Sequence, residues 1–92
     1  MIFQSKKRAM LNALKAILPA EATLVSFDYD KKVFGNMIVE IELEKIKHTF
    51  ITDRGEIFHN GVMLCDSSYL CMGEGTFPKL LQLIQREFAT KS

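Results

Sequence analysis

Ninety-two residues, 48% of them apolar and seven of them Phe, make a chain that buries about 60 to 65% of its unfolded surface, enough for one core and too little for two. That composition excludes disorder, and apolar runs of no more than four or five residues exclude a membrane-spanning helix, which needs about 18. Residues 1–92 are therefore read as a single domain, with a net charge of +1.

The small net charge hides an uneven distribution. Residues 1–20 carry Lys6, Lys7, Arg8 and Lys15 and no acid, residues 21–75 carry ten acids against five bases, and residues 76–92 carry three bases against Glu87. Met1 to Ala9 has no apolar stretch of the secretory kind, which places the chain in the cytoplasm. Cys65 and Cys71, spaced C-x5-C, are then reduced thiols and match no common zinc or redox spacing, so neither a metal nor a cofactor is called for.

From Ser5 to Leu18, Met10, Leu11, Leu14, Ile17 and Leu18 recur at spacings of three and four, which predicts a helix ended by Pro19. A start at Ser5 would set Lys6, Lys7 and Arg8 in the first turn, where the macrodipole disfavours cations. Either the helix begins earlier or those bases meet a partner. Thr23 to Tyr29 alternates, with Val25, Phe27 and Tyr29 on one side, and Asp30 to Asn36 reads as a loop. Met37, Val39, Ile41 and Leu43 alternating with Ile38, Glu40, Glu42 and Glu44 form the clearest half-buried strand.

Three further strands follow: Ile46 to Thr52, Glu56 to His59 and Val62 to Cys65. The short links between them force antiparallel neighbours. Asn60-Gly61 suits a two-residue turn with positive φ at both positions, Asp53-Arg54-Gly55 suits a three-residue loop, and Glu44-Lys45 is the weakest turn. Asp66 to Gly75 reads as a loop. Thr76 or Phe77 then caps a helix with Pro78 in its first turn and Phe77, Leu80, Leu81, Ile84 and Phe88 as its apolar stripe. The expected fold is α+β, an antiparallel meander of four to five strands flanked by an N-terminal and a C-terminal helix.

These turns imply a register. Leu43 faces Ile46, Glu42 faces Lys47, Ile41 faces His48 and Val39 faces Phe50; Phe50 then faces Phe58, Ile51 faces Ile57, and the last turn sets Phe58 against Met63 and Ile57 against Leu64. One face, with Val39, Ile41, Leu43, Phe50, Phe58 and Met63, forms the bed for the helices. The other holds an apolar row of Ile38, Ile51, Ile57 and Leu64 with Glu40 and His59 at its rim. A row of this size is either covered by the chain itself or serves a protein partner or a homodimer.

Chemistry-bearing residues fare less well. In this register His48 points inward and His59 outward, so they share no site, and a core role for His48 and Cys65 is the simpler expectation. Gly73-Glu74-Gly75-Thr76 looks like a phosphate cradle but lacks a lysine, and Glu74 repels phosphate. Tyr69, Leu70 and Met72 suit a lid on the core or, second to that, a contact point. The cations Lys6, Lys7, Arg8 and Lys15 support nucleic-acid binding as the runner-up to protein binding, and a small enzyme comes third.

Phe50-Ile51-Thr52-Asp53-Arg54-Gly55-Glu56 resembles the strand and Thr-Asp-Asp-Gly type hairpin of a family of small uncharacterised bacterial and phage proteins. The likeness covers about a third of the chain, with Arg54 where that pattern commonly has an acid. It implies a bacterial or mobile-element origin and no particular activity.

Overall fold

The computed structural model describes residues 2–30, 32, 36–65 and 76–89, with residues 2–6 by backbone alone. The stretch read as a loop from Asp66 to Gly75, with Cys71, Tyr69, Leu70, Met72 and the cradle-like glycines, lies outside the described residues, as do the side chain of Lys6 and most of the loop before Asn36.

Helix α1 spans Ile2–Ile17 and stops short of Pro19, which cannot donate to the helical ladder. It begins before Ser5, so Lys6, Lys7 and Arg8 fall beyond the first turn, where the N-terminal dipole is felt most. Met10 and Leu14, one turn apart, are buried; Lys7, Arg8 and Lys15 are exposed. Five strands follow: β1 Thr23–Asp30, β2 Asn36–Leu43, β3 Ile46–Asp53, β4 Glu56–His59 and β5 Val62–Cys65, and helix α2 spans Thr76–Ala89. The strands pair antiparallel in chain order, β1-β2-β3-β4-β5, which is the expected α+β meander.

Three hairpins set the register, and all three turn on two residues with positive φ: Glu44 (56°) and Lys45 (68°), Arg54 (53°) and Gly55 (91°), Asn60 (50°) and Gly61 (87°). This is the turn whose twist matches that of the strands. For β2 and β3 the pairing is the one the alternation implies, with Leu43 opposite Ile46, Glu42 opposite Lys47, Ile41 opposite His48, Val39 opposite Phe50 and Ile38 opposite Ile51.

The β3–β4 hairpin differs by one residue. Arg54 joins Gly55 in the left-handed region, so the loop has two residues rather than three, Asp53 faces Glu56, and Phe50, Ile51 and Thr52 face His59, Phe58 and Ile57. The physical cause lies in β2. Arg54 N–H donates to Asn36 Oδ1 (3.0 Å) and Asn36 Nδ2 donates to Asp53 Oδ1 (3.3 Å), which braces a conformation that otherwise costs a non-glycine residue about 1–2 kcal/mol. A one-residue slip moves every side chain of β4 to the other face. Ile57 is therefore fully buried, His59 turns inward and Phe58 turns outward.

At β5, Phe58 faces Met63 as expected, but Ile57 faces Cys65 across an irregularity that leaves Leu64 without a direct partner. Met63 thus joins Phe58 on the outer face, not the core. A second irregularity between Leu24 and Ser26 puts Val25 outside, at 47% exposure, while Leu24, Phe27 and Tyr29 pack against the core.

The inner face presents Met37, Val39, Ile41, Leu43, Phe50, Ile57 and Cys65 to α1 and to Leu80, Leu83, Ile84 and Phe88 of α2, all in one cluster. Both helices lie on this side. The Cα extents of 33 × 33 × 16 Å are those of one helix layer on one sheet layer. Thr52 is buried among these residues because its Oγ1 accepts from Met37 N–H at 2.8 Å, filling a backbone donor where the β2–β3 ladder ends. No described helix is long and apolar enough to cross a membrane.

Candidate functional site

The outer sheet face is the first candidate. Ile38 faces Ile51, Ile51 faces Phe58 and Phe58 faces Met63, so an apolar row crosses four adjacent strands at right angles to them. Ile38 is 43% exposed, Ile51 39% and Met63 48%, and Phe58 is half-buried. Ile38 and Ile51 stand where the alternation placed them, whereas Ile57 and Leu64 give way to Phe58 and Met63. Leu64 remains exposed beside the row.

The surroundings of the row are acidic. Strand alternation puts Asp28 opposite Ile38 at one end of the row and Asp30, Glu40, Glu42, Asp53 and Glu56 on the same face, against the single strand base Lys47. Glu40 accepts a hydrogen bond from Ser26 Oγ at 2.9 Å, which fixes one rim carboxylate next to the row. An exposed apolar strip with a charged rim is the pattern of a contact surface.

The second candidate lies on the inner face and follows from the same register. His48 and His59, expected on opposite sides, are brought together, with His48 Nδ1 2.9 Å from His59 Nε2. The rings are within 15° of parallel with centroids 5.1 Å apart, and with nitrogens that close they must meet edge to edge in nearly one plane. One nitrogen of this contact carries the proton and the other is bare, so the pair holds at most one positive charge while the bond lasts. Glu87 of α2 places Oε1 3.9 Å from His59 Nδ1, too far for a hydrogen bond and near enough to make it the third member of the cluster.

Rings and turn hold the pair in place. His59 lies flat on Phe50, 4.5 Å between centroids and 7° between planes, and Phe88 meets His48 edge-on at 5.1 Å. Just beyond His59, Asn60 Oδ1 accepts from Thr49 N–H and Asn60 N–H donates to the Thr49 carbonyl, both at 2.8 Å. The asparagine thereby extends the β3–β4 ladder past the last strand residue and pins His59 beside His48. His48 is only 4% exposed, while His59 and Glu87 are partly open to solvent.

Among the remaining candidates, Cys65 is buried on the inner face, in the core cluster. Lys7, Arg8 and Lys15 are exposed on α1; they stand on the helix layer, away from the outer sheet face. The missed site residues, Phe58, Met63, Glu87 and the His48–His59 pair, share one cause, the width of the Arg54-Gly55 turn. No family model, no curated protein and no solved structure matches the chain.

Proposed function

We propose that the chain is a small accessory module of bacterial or phage type, working in the cytoplasm, that binds a protein partner through its outer sheet face. The observation that carries this reading is the unbroken cross-strand row Ile38–Ile51–Phe58–Met63, which no described residue covers and which apolar burial in a folded chain does not need. Strands spaced about 4.8 Å apart and up to eight residues long at about 3.3 Å per residue offer a face large enough for the roughly 800 Å² per partner of an ordinary interface.

Charge selects among partners. Two copies of this face brought together would oppose carboxylates with carboxylates, so the acidic rim favours a partner with an apolar centre and basic edges over a second copy of the chain. The same rim repels nucleic acid from this face, leaving Lys7, Arg8 and Lys15 on α1 as the only described cations grouped for such a role. Four cations including Lys6 are few, and binding through them would weaken steeply with salt.

The test compares three purified chains as bait: wild type, Ile51→Asp, and a Lys7→Glu/Arg8→Glu double variant, each checked for folding by circular dichroism. A protein retained by wild type and the double variant but not by Ile51→Asp is then purified and titrated. It should bind Ile51→Asp at least about 30-fold more weakly, the 2 kcal/mol of an interface hot spot, and shift the resonances of Ile38, Ile51 and Phe58. Equal retention by all three baits, or loss only in the double variant, contradicts the reading. A wild-type dimer that Ile51→Asp converts to monomer would replace the partner by self-association.

A further inference from the structure

We propose that His48, His59 and Glu87 form a binding site for a divalent transition-metal ion of the zinc class, on the inner side of the sheet and independent of the outer-face reading. One ligand atom from each of the three lies within 4.8 Å of the other two, and two of those residues are imidazoles, the neutral ligands that zinc, nickel and copper prefer. Three protein ligands with one side open to solvent is the arrangement of a metal site that keeps a position for water or a further ligand.

The geometry needs little adjustment. Nitrogens bonded to one tetrahedral ion at about 2.0–2.1 Å each stand about 3.3 Å apart, against 2.9 Å between His48 Nδ1 and His59 Nε2. A cation taking the place of the shared proton therefore widens that contact by about 0.4 Å and tilts the rings toward the open side. His59 has room for this because its ring slides on the face of Phe50 rather than being wedged edge-on. Glu87 projects from the last turns of α2 and is partly exposed, so its carboxylate can close the 3.9 Å gap by rotation. If it closes on the ion it is the third ligand and cancels one of the two charges.

Neither residue type is explained by packing alone. A buried strand face whose other residues are Val, Ile, Leu, Met and Phe with Thr52 and Cys65 places two imidazoles nitrogen to nitrogen, and the only described carboxylate within reach comes from the opposing helix. The Asn60 clamp on Thr49 holds His59 in place before any ion arrives. A metal here would join the β3–β4 hairpin to α2, which is distant from it in sequence, and so would raise the stability of the folded chain as the free ion exceeds its dissociation constant.

The experiment titrates Co²⁺ and Zn²⁺ into the full chain under reducing conditions and reads the visible absorption of Co²⁺, its displacement by Zn²⁺, and the melting temperature. The expected result is one ion per chain, the intense visible bands of a tetrahedral site, and a rise in melting temperature of several degrees with excess Zn²⁺. His59→Gln and Glu87→Gln, both at partly exposed positions, should keep the fold; the first should weaken binding at least 100-fold and the second at least 10-fold. A Cys65→Ala/Cys71→Ser variant should bind as wild type does. Absence of saturable binding, binding unchanged in His59→Gln, or a thiolate-to-cobalt charge-transfer band that disappears in the cysteine variant each overturns the proposal.

Discussion

The inner face of the sheet buries His48 and Thr52 among aliphatic side chains, while the outer face leaves Ile38, Ile51 and Met63 to solvent with Phe58 between the last two. On β3 and β4 alone, His48, Thr52 and His59 face inward and Ile51 and Phe58 face outward, so each face carries the residue type that would suit the other. Burial alone does not choose the register of β4, because a β4 shifted by one residue would put Phe58 in the core and His59 in water while turning Ile57 out. The comparison teaches that turn width, and not hydrophobicity, decides which side chains of β4 are inside, and that both candidate sites exist because the turn is narrow.

The largest effect that can break this comparison separates two isoleucines. Ile57→Ala removes a fully buried side chain and should cost about 3–5 kcal/mol in urea denaturation, whereas Ile51→Ala on the outer face should cost less than about 1 kcal/mol. Similar losses at the two positions would mean they share a face. Next in size, Thr52→Val keeps the shape but strips the acceptor from Met37 N–H and should cost about 1–3 kcal/mol; a neutral result would show that the β2–β3 ladder closes without it.

A smaller effect sharpens the account of how His59 is held. Asn60→Ala loses the acceptor of Thr49 N–H and puts a β-carbon residue without a stabilising side chain in the left-handed region, for a cost of about 1–2 kcal/mol seen as faster amide exchange at Thr49. The smallest prediction has the opposite sign. Arg54→Asn, creating the Asn-Gly pair that this turn prefers, should raise stability by about 0.5–1 kcal/mol and leave the strand register unchanged. Destabilisation there would mean that Arg54 contributes more than its backbone conformation.

Much of the fold was legible from residue patterns. The strict alternation from Met37 to Glu44 and the charge match of Glu42 with Lys47 made the β2–β3 register readable, and Asn60-Gly61 announced the last hairpin. The β3–β4 register was not legible for two physical reasons. Arginine rarely adopts positive φ, so the local pattern offers Gly55 alone for the left-handed position. The observed pairing also sets Asp53 against Glu56, a like-charge pair that cross-strand rules disfavour.

What overrides both is a pair of hydrogen bonds from Asn36, far away in the chain and invisible to any local pattern. The irregularities at Val25 and Leu64 are likewise tertiary, since a bulge depends on what the neighbouring strand offers. With β4 set one residue off, the pattern puts Ile57 on the outer row in place of Phe58 and parts the two histidines, while Leu64 is exposed beside the row. Half of the outer row, Ile38 and Ile51, was nevertheless placed correctly because it rests on the legible hairpin.

Cross-strand nuclear Overhauser contacts in the labelled chain test the pairing on which both sites depend. The structure predicts backbone contacts of Ile51 with Phe58 and of Phe50 with His59, together with side-chain contacts between His48 and His59. Contacts of Ile51 with Ile57 and of Phe50 with Phe58 in their place would return Phe58 to the core, part the histidines, and contradict the account.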